Sequence, residues 1–520
     1  MATLTAAGRA AAVVRRHWLA AILLTAGLAL RVLAELAYRP ALFYIDTNRY
    51  LYNAEGNDPV GYKGLLRAVL LAGNFDAVAA VQHLLGLAMA TLIYVLLLRR
   101  GAPRWLAALA IAPVLLDAHQ VQTEQTIMPG TLFEALLVAG LAVLLWYPAI
   151  SWRRLLAAGV LLGTSATVAQ IGEALILPAV LYLLLADSSW RAGGWRRAGG
   201  WWRAVGKAAA MCGACALPIL AYCTGSLMLT GAFALSHTGV TSFYGRTAAA
   251  ADCATISLPA AERGLCPTRS QQAQGPDWLE YNAGSPVRPY YSDVPRPLAD
   301  SELSDFNHQV LSQQPRRLLG AYGRDAAKLF VVTRTTSPGD TPISRWQFQK
   351  AYPYFTSHAT RKFARTATAR FGGGAPAVWR PAAAFLRSYQ LGGGYTPGPL
   401  LALLTVAGLA GSVAAFRRRA GPAARQQALA CLLFFGVGAF VTLVSDLFEF
   451  SWRYQLPVLV TLVPAGALGL SVIIGAIRGR REARPMALAA RTAAAGTAAA
   501  GARPGSAGRE GDRGVEHVER

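Results

Sequence analysis

The chain has 520 residues, of which 54% are hydrophobic and only 15% charged, whereas soluble proteins carry roughly 25% charged residues. The net charge of +23 is almost all arginine and clusters at the ends of apolar runs, with no RNA- or DNA-binding motif. These features exclude an ordinary soluble domain and leave no case for nucleic acid as a partner.

In chain order, Arg9, Arg15 and Arg16 precede an apolar run from Trp18 to Leu30. This resembles a signal peptide, but no small-residue cleavage site follows, and it reads as an uncleaved first helix. A helix needs roughly 20 mostly apolar residues to span a bilayer. The expected spans are 17–38, 77–98, 104–118, 130–148, 155–170, 172–187, 206–232, 398–416, 427–446 and 454–477. The fold class is therefore all-α and integral to the membrane, a multi-pass bundle of about ten transmembrane helices. A long polar region separates spans seven and eight. Four parts are expected: a transmembrane module over 1–232, an extracytoplasmic region over 233–397, a second transmembrane module over 398–477, and a disordered basic cytoplasmic tail over 478–520. An amphipathic stretch near Arg316–Thr333 carries Leu318, Leu319, Tyr322, Ala326, Leu329 and Phe330 at helical spacing.

Charge predicts orientation. With both termini in the cytoplasm, the inner connections hold Arg99, Arg100 and Arg104, then Arg153 and Arg154, then Arg417, Arg418 and Arg419. The short outer connections hold Asp117 and Glu124, Glu173, and Asp446 with Glu449. This is the positive-inside pattern of a multi-pass membrane protein with both termini in the cytoplasm. Arg31 and Glu35, at i and i+4, read as an ion pair on one helix face. His83 reads as a hydrogen-bonded core residue.

The six cysteines make no metal pattern. Cys212 and Cys215 lie in an apolar run and read as small core residues. Cys253 and Cys266 lie in the polar region, where a disulfide is expected.

The reactive residue types collect on the outer side. The first outer loop reads Phe43-Tyr44-Ile45-Asp46-Thr47, then Asp58-Pro59-Val60-Gly61-Tyr62-Lys63, with Arg67 beyond. The second reads Gln122-Thr123-Glu124-Gln125. The last reads Ser451-Trp452-Arg453-Tyr454-Gln455-Leu456-Pro457. Arg453 opposes the dipole of the helix it precedes, so it needs an acidic partner, with Asp446 or Glu449 the nearest in sequence. Asp46 could equally serve as a helix N-cap.

The loop-one aspartate, the acidic second turn and the Arg-Tyr-x-x-Pro approach to the last helix together resemble the GT-C superfamily. These are multi-pass glycosyltransferases that use polyprenyl-phosphate sugars, and the Ala/Arg-rich composition is similar to their actinobacterial branch. The resemblance implies that Asp46 is a catalytic base and that Glu124 orients the acceptor or helps bind a metal. It implies that Asp58, Tyr62, Lys63, Arg67, Arg453 and Tyr454 contact substrate, the cations stabilising the departing phosphate. Many relatives carry an Asp-Glu pair where this chain has Asp46-Thr47, which leaves a divalent metal an open expectation and assigns no ligand. The implied partners are a polyprenyl-phosphate sugar, the bilayer, and a glycan, lipid or protein acceptor in the cell envelope. A transporter or flippase of a lipid-linked substrate, or an inactive envelope assembly protein, is the alternative.

Overall fold

Apolar runs become helices because hydrocarbon offers a backbone amide or carbonyl no partner outside its own segment. In the computed structural model, five helices among the described residues are long and apolar enough to cross a membrane: Trp18–Ala37, Phe75–Arg99, Trp202–Thr230, Pro422–Asp446 and Leu456–Arg478. Arg104–Leu116, Gly130–Leu145, Gln170–Ala186 and Gly398–Ala414 are shorter apolar helices. Trp152–Val168 completes the set, so each expected span has a helical counterpart. The protein is a multi-pass helical membrane protein. The structure describes residues 12–52, 59–186, 198–236, 239–293, 296–356, 358–416 and 421–478. Asp58 and nearly all of the expected 478–520 tail lie outside the described residues. The described residues up to Val472 form one compact unit.

Small residues let these helices approach closely. A Cβ added at Gly163 would fall 2.0 Å from the Cys215 carbonyl oxygen, so Trp152–Val168 lies directly against the backbone of the Trp202–Thr230 helix there. At the arginine-rich end of the bundle, basic side chains satisfy carbonyls that helix ends leave open. Arg100 donates to the Leu145 and Tyr147 carbonyls, and Arg425 to the Leu185 carbonyl at 2.6 Å.

The polar region folds as two parts with different cores. Residues 239–313 build their own, in which Tyr244, Leu265, Leu279, Leu303 and Phe306 are buried. Cys253 and Cys266 are disulfide-bonded beside it. The expected amphipathic helix is present as Pro315–Lys328, burying Leu318 and leaving Leu319 exposed. Residues 341–391 pack back on the first loop instead. Tyr38 stacks on Phe348 at 5.5 Å, the Tyr352 hydroxyl donates to the Ala41 carbonyl at 2.6 Å, and Tyr38–Arg39 pairs antiparallel with Ala377–Val378.

Between two apolar helices lies an eight-residue polar one, Ala118–Gln125, every residue of which is buried. It is capped by Asp117, whose carboxylate also receives both arms of Arg334, at 3.2 and 2.7 Å, and the Thr396 amide at 2.8 Å. Burial opposes the charge of Asp117, yet Arg334 and His119 hold its carboxyl below the usual carboxylate range.

Candidate active site

Asp46 stands one residue before the short helix Thr47–Tyr52. The backbone beneath it is fixed from both sides. The Thr47 hydroxyl donates to the Ile127 carbonyl at 3.2 Å, and the Tyr44 amide donates to that same hydroxyl at 2.8 Å. The Leu42 amide donates to the Gln125 carbonyl at 3.0 Å, and the Ile127 amide donates to the Leu42 carbonyl at 2.9 Å. The carboxylate is thus held at the membrane end where the first span finishes.

Arg453 comes to it from the other end of the chain. Its Nη1 donates to Asp46 Oδ2 at 3.2 Å, with the two side chains 15% and 21% exposed, so the pair is shielded yet reachable. The guanidinium lies over the rings of Trp346 at 4.9 Å and Tyr454 at 4.5 Å, and its Nη2 donates to the Tyr454 hydroxyl at 2.5 Å. Asp46, rather than Asp446 or Glu449, is therefore its ion-pair partner. Asp446 instead accepts from Gln455 at 2.9 Å.

Three further charges close the site. Arg345 donates to the Tyr44 hydroxyl at 3.3 Å and lies 3.9 Å from Asp277. Asp277 is hydrogen-bonded to Glu449, whose carboxylate also accepts from the Thr341 hydroxyl at 3.5 Å. Burial raises the Asp277 carboxyl, although Arg345 opposes it, and burial with the neighbouring Asp277 raises Glu449 well above the usual carboxylate range. A pair of this kind shares a proton, because two bare carboxylates in contact repel. Arg345 and Asp277 come from the polar region, whose sequence has no periodicity to mark them. Glu449 was visible only as one acid of an outer turn.

Glu124 sits elsewhere. It is fully buried, and Arg31 grips it with two bonds, Nε to Oε2 and Nη2 to Oε1, both at 2.8 Å. His83 Nδ1 lies 3.0 Å from Oε2 and Gln120 donates to Oε1 at 3.2 Å. The expected Arg31–Glu35 pair is therefore corrected: a bidentate partner on a neighbouring helix displaces a looser one on the same helix. Gln120 also donates to Glu134 at 2.9 Å, extending a polar seam through the bundle. Gly86 makes room for it, since a Cβ there would sit 2.2 Å from Glu124 Oε1.

Of the other candidates, Tyr62 is fully buried and donates to Gln82 at 2.8 Å. Lys63 and Arg67 follow on the amphipathic helix Tyr62–Ala72, and burial, then Arg67, lowers the Lys63 pKa. The structure thus brings together Asp46, Arg453 and Tyr454, and places Glu124 and Tyr62 in the interior of the bundle.

No protein-family model and no curated protein matches the chain. Two solved structures are similar to it. One is the Saccharomyces cerevisiae protein O-mannosyltransferase Pmt1-Pmt2 complex bound to the sugar donor: 19% identity, 45% of this chain and 36% of that one covered, TM-score 0.32. The other is the oligosaccharyltransferase AglB from Archaeoglobus fulgidus, in complex with an inhibitory peptide and a dolichol-phosphate: 12% identity, 91% and 52% covered, TM-score 0.38. Both are named as transferases. The chain spans about half the length of the second and less of the first, and likenesses this loose assign no residue a role.

Proposed function

We propose that this protein transfers a sugar from a polyprenyl-phosphate donor to a cell-envelope acceptor on the extracytoplasmic face of a bacterial plasma membrane. The observation that carries this reading is the pairing of Asp46 with Arg453 at the membrane end of the first and last spans. A general base and a phosphate-binding cation are the two groups such a reaction asks of the protein.

Asp46 accepts the proton of the acceptor hydroxyl. The freed oxygen attacks the anomeric carbon, the bond from that carbon to the phosphate oxygen breaks, and polyprenyl phosphate leaves with the electron pair. Arg453, planar and permanently charged, suits a phosphate bidentately. When it turns to the donor, the Asp46 carboxylate is left free to meet the acceptor hydroxyl. Tyr44, Trp346 and Tyr454 supply aromatic faces for the sugar ring. Lys63, Arg67 and Asp58, which follow Asp46 in the sequence, are part of this proposal as further substrate contacts. Among the described residues no three His, Cys, Asp or Glu side chains are grouped to hold a metal ion, and the step is derived from the chain's own groups. Glu124 acts here by positioning the turn through Arg31 and His83.

A transporter would draw on the buried seam of Arg31, His83, Glu124 and Glu134. Arg31 occupies both oxygens of Glu124, which favours a structural use of the seam and hence the enzyme.

The test is transfer of labelled sugar from polyprenyl phosphate by the purified protein in lipid. Asp46→Asn is expected to lower the rate by about 10²–10⁴-fold with unfolding unchanged. Transfer indifferent to Asp46, or absent with every donor tried, sinks the reading.

A further inference from the structure

A cavity of about 730 Å³ lies at the opposite end of the first span, between the starts of Trp18–Ala37 and Arg104–Leu116 and the end of Phe75–Arg99. At 1.5 Å per residue the 20-residue first span separates this end from Ala37, and so from the approach to Asp46, by about 30 Å.

Its polar lining is cationic or neutral. Arg16, His17, Tyr94 and Arg104 face it, and no carboxylate is among the lining residues. His17 Nδ1 and the Tyr94 hydroxyl are 2.7 Å apart. Burial, then Arg104 and Arg16, lowers the His17 pKa, so the imidazole is neutral and two guanidiniums act on one space. The helix that starts at Arg104 has no side-chain cap, so its first amides add positive potential at the same place.

Arginines at this end of a membrane protein ordinarily serve orientation. Others here also have structural work: Arg99 donates to the Trp146 carbonyl and Arg100 to the Leu145 carbonyl. Arg16 and Arg104 differ, having no hydrogen-bond or ion-pair partner among the described residues. Below them the lining turns apolar at Leu19, Leu98 and Ala108. Trp18 and Trp105 flank it with largely exposed rings, as tryptophans do at the headgroup level.

We propose that this cavity binds an anionic phospholipid of the bilayer, its phosphate between Arg16 and Arg104 and its acyl chains along Leu19, Leu98 and Ala108. A soluble phosphate would satisfy the guanidiniums but leave the apolar floor and the two tryptophans without a role. The site is independent of the chemistry at Asp46.

The full-length protein in detergent is titrated with phosphatidylglycerol, with phosphatidylcholine as zwitterionic control, and bound lipid is counted by native mass spectrometry. Phosphatidylglycerol should fill one tight site. The double variant Arg16→Gln/Arg104→Gln should weaken it by about tenfold or more, Arg16→Lys/Arg104→Lys should retain much of it, and Arg99→Gln should leave it unchanged. Equal binding of the two lipids by wild type overturns the proposal, even if the glutamine variant fails to fold. Equal loss in Arg99→Gln, meaning surface charge alone, also overturns it. Displacement by millimolar inorganic phosphate would assign the site to a soluble anion instead.

Discussion

Glu124 and Asp46 are both carboxylates facing an arginine, and their settings assign them opposite duties. Around Glu124 there is no exposure and no spare oxygen, so the charge is tolerated only because Arg31 meets it bidentately. Glu124→Ala leaves Arg31 buried and unpaired, and is expected to cost about 3–5 kcal/mol, read as a large drop in the unfolding temperature in detergent. Asp46→Asn should barely move that temperature while removing transfer. The Asp277–Glu449 pair adds a pH signature. Both carboxyls are raised, so the pair's contribution is complete below the ordinary carboxylate range and is lost as pH climbs through the raised values. Thermal stability should therefore fall with rising pH through that window, and Glu449→Gln should flatten the fall. A profile identical to wild type in Glu449→Gln would remove the shared proton.

At the scale of elements, hydropathy located the helices because in lipid the span itself is the folding unit, and its length is set by the bilayer. Hydropathy reads the stretch from His119 to Gln125 as a polar turn between spans that faces water, and pairs Arg31 with Glu35; the stretch does join two spans, but it is buried and Arg31 meets Glu124 instead. Only packing against neighbouring helices, which no local pattern encodes, buries that stretch and redirects Arg31. Asp46 and Arg453 were legible because each sits where an apolar run gives way to aromatics. Asp277 and Arg345 were not, since their meeting depends on how 239–313 and 341–391 fold over the first loop. The disulfide is another element-level device. It closes a loop of sequence separation 13, and its reduction should lower stability by about 3 kcal/mol, with the change reported by Trp278 fluorescence in the adjoining core.

For the whole molecule, the arginine-rich end and the carboxylate-rich end face opposite ways along the spans. If the Asp46 end is extracytoplasmic, a cysteine placed at exposed Arg263, with Cys212, Cys215, Cys223 and Cys431 replaced, should react with an impermeant maleimide in intact cells. A cysteine at exposed Arg153 should react only after permeabilisation. The reverse pattern would place the site on the cytoplasmic side and exclude an extracytoplasmic acceptor.

The two halves of the central ion pair are 407 residues apart in the chain. A ribosome adding about 5–20 residues per second takes roughly twenty to eighty seconds to travel from one to the other. Throughout that interval the nascent protein carries its acid without its cation, and Arg345 and Trp346 arrive only in the later part. The pair therefore forms late in synthesis, after every membrane helix but Leu456–Arg478 has been made. On the proposed reading, an interrupted chain lacking Arg453 would leave in the bilayer a scaffold without the phosphate-binding arm, and hence with no partial transfer activity.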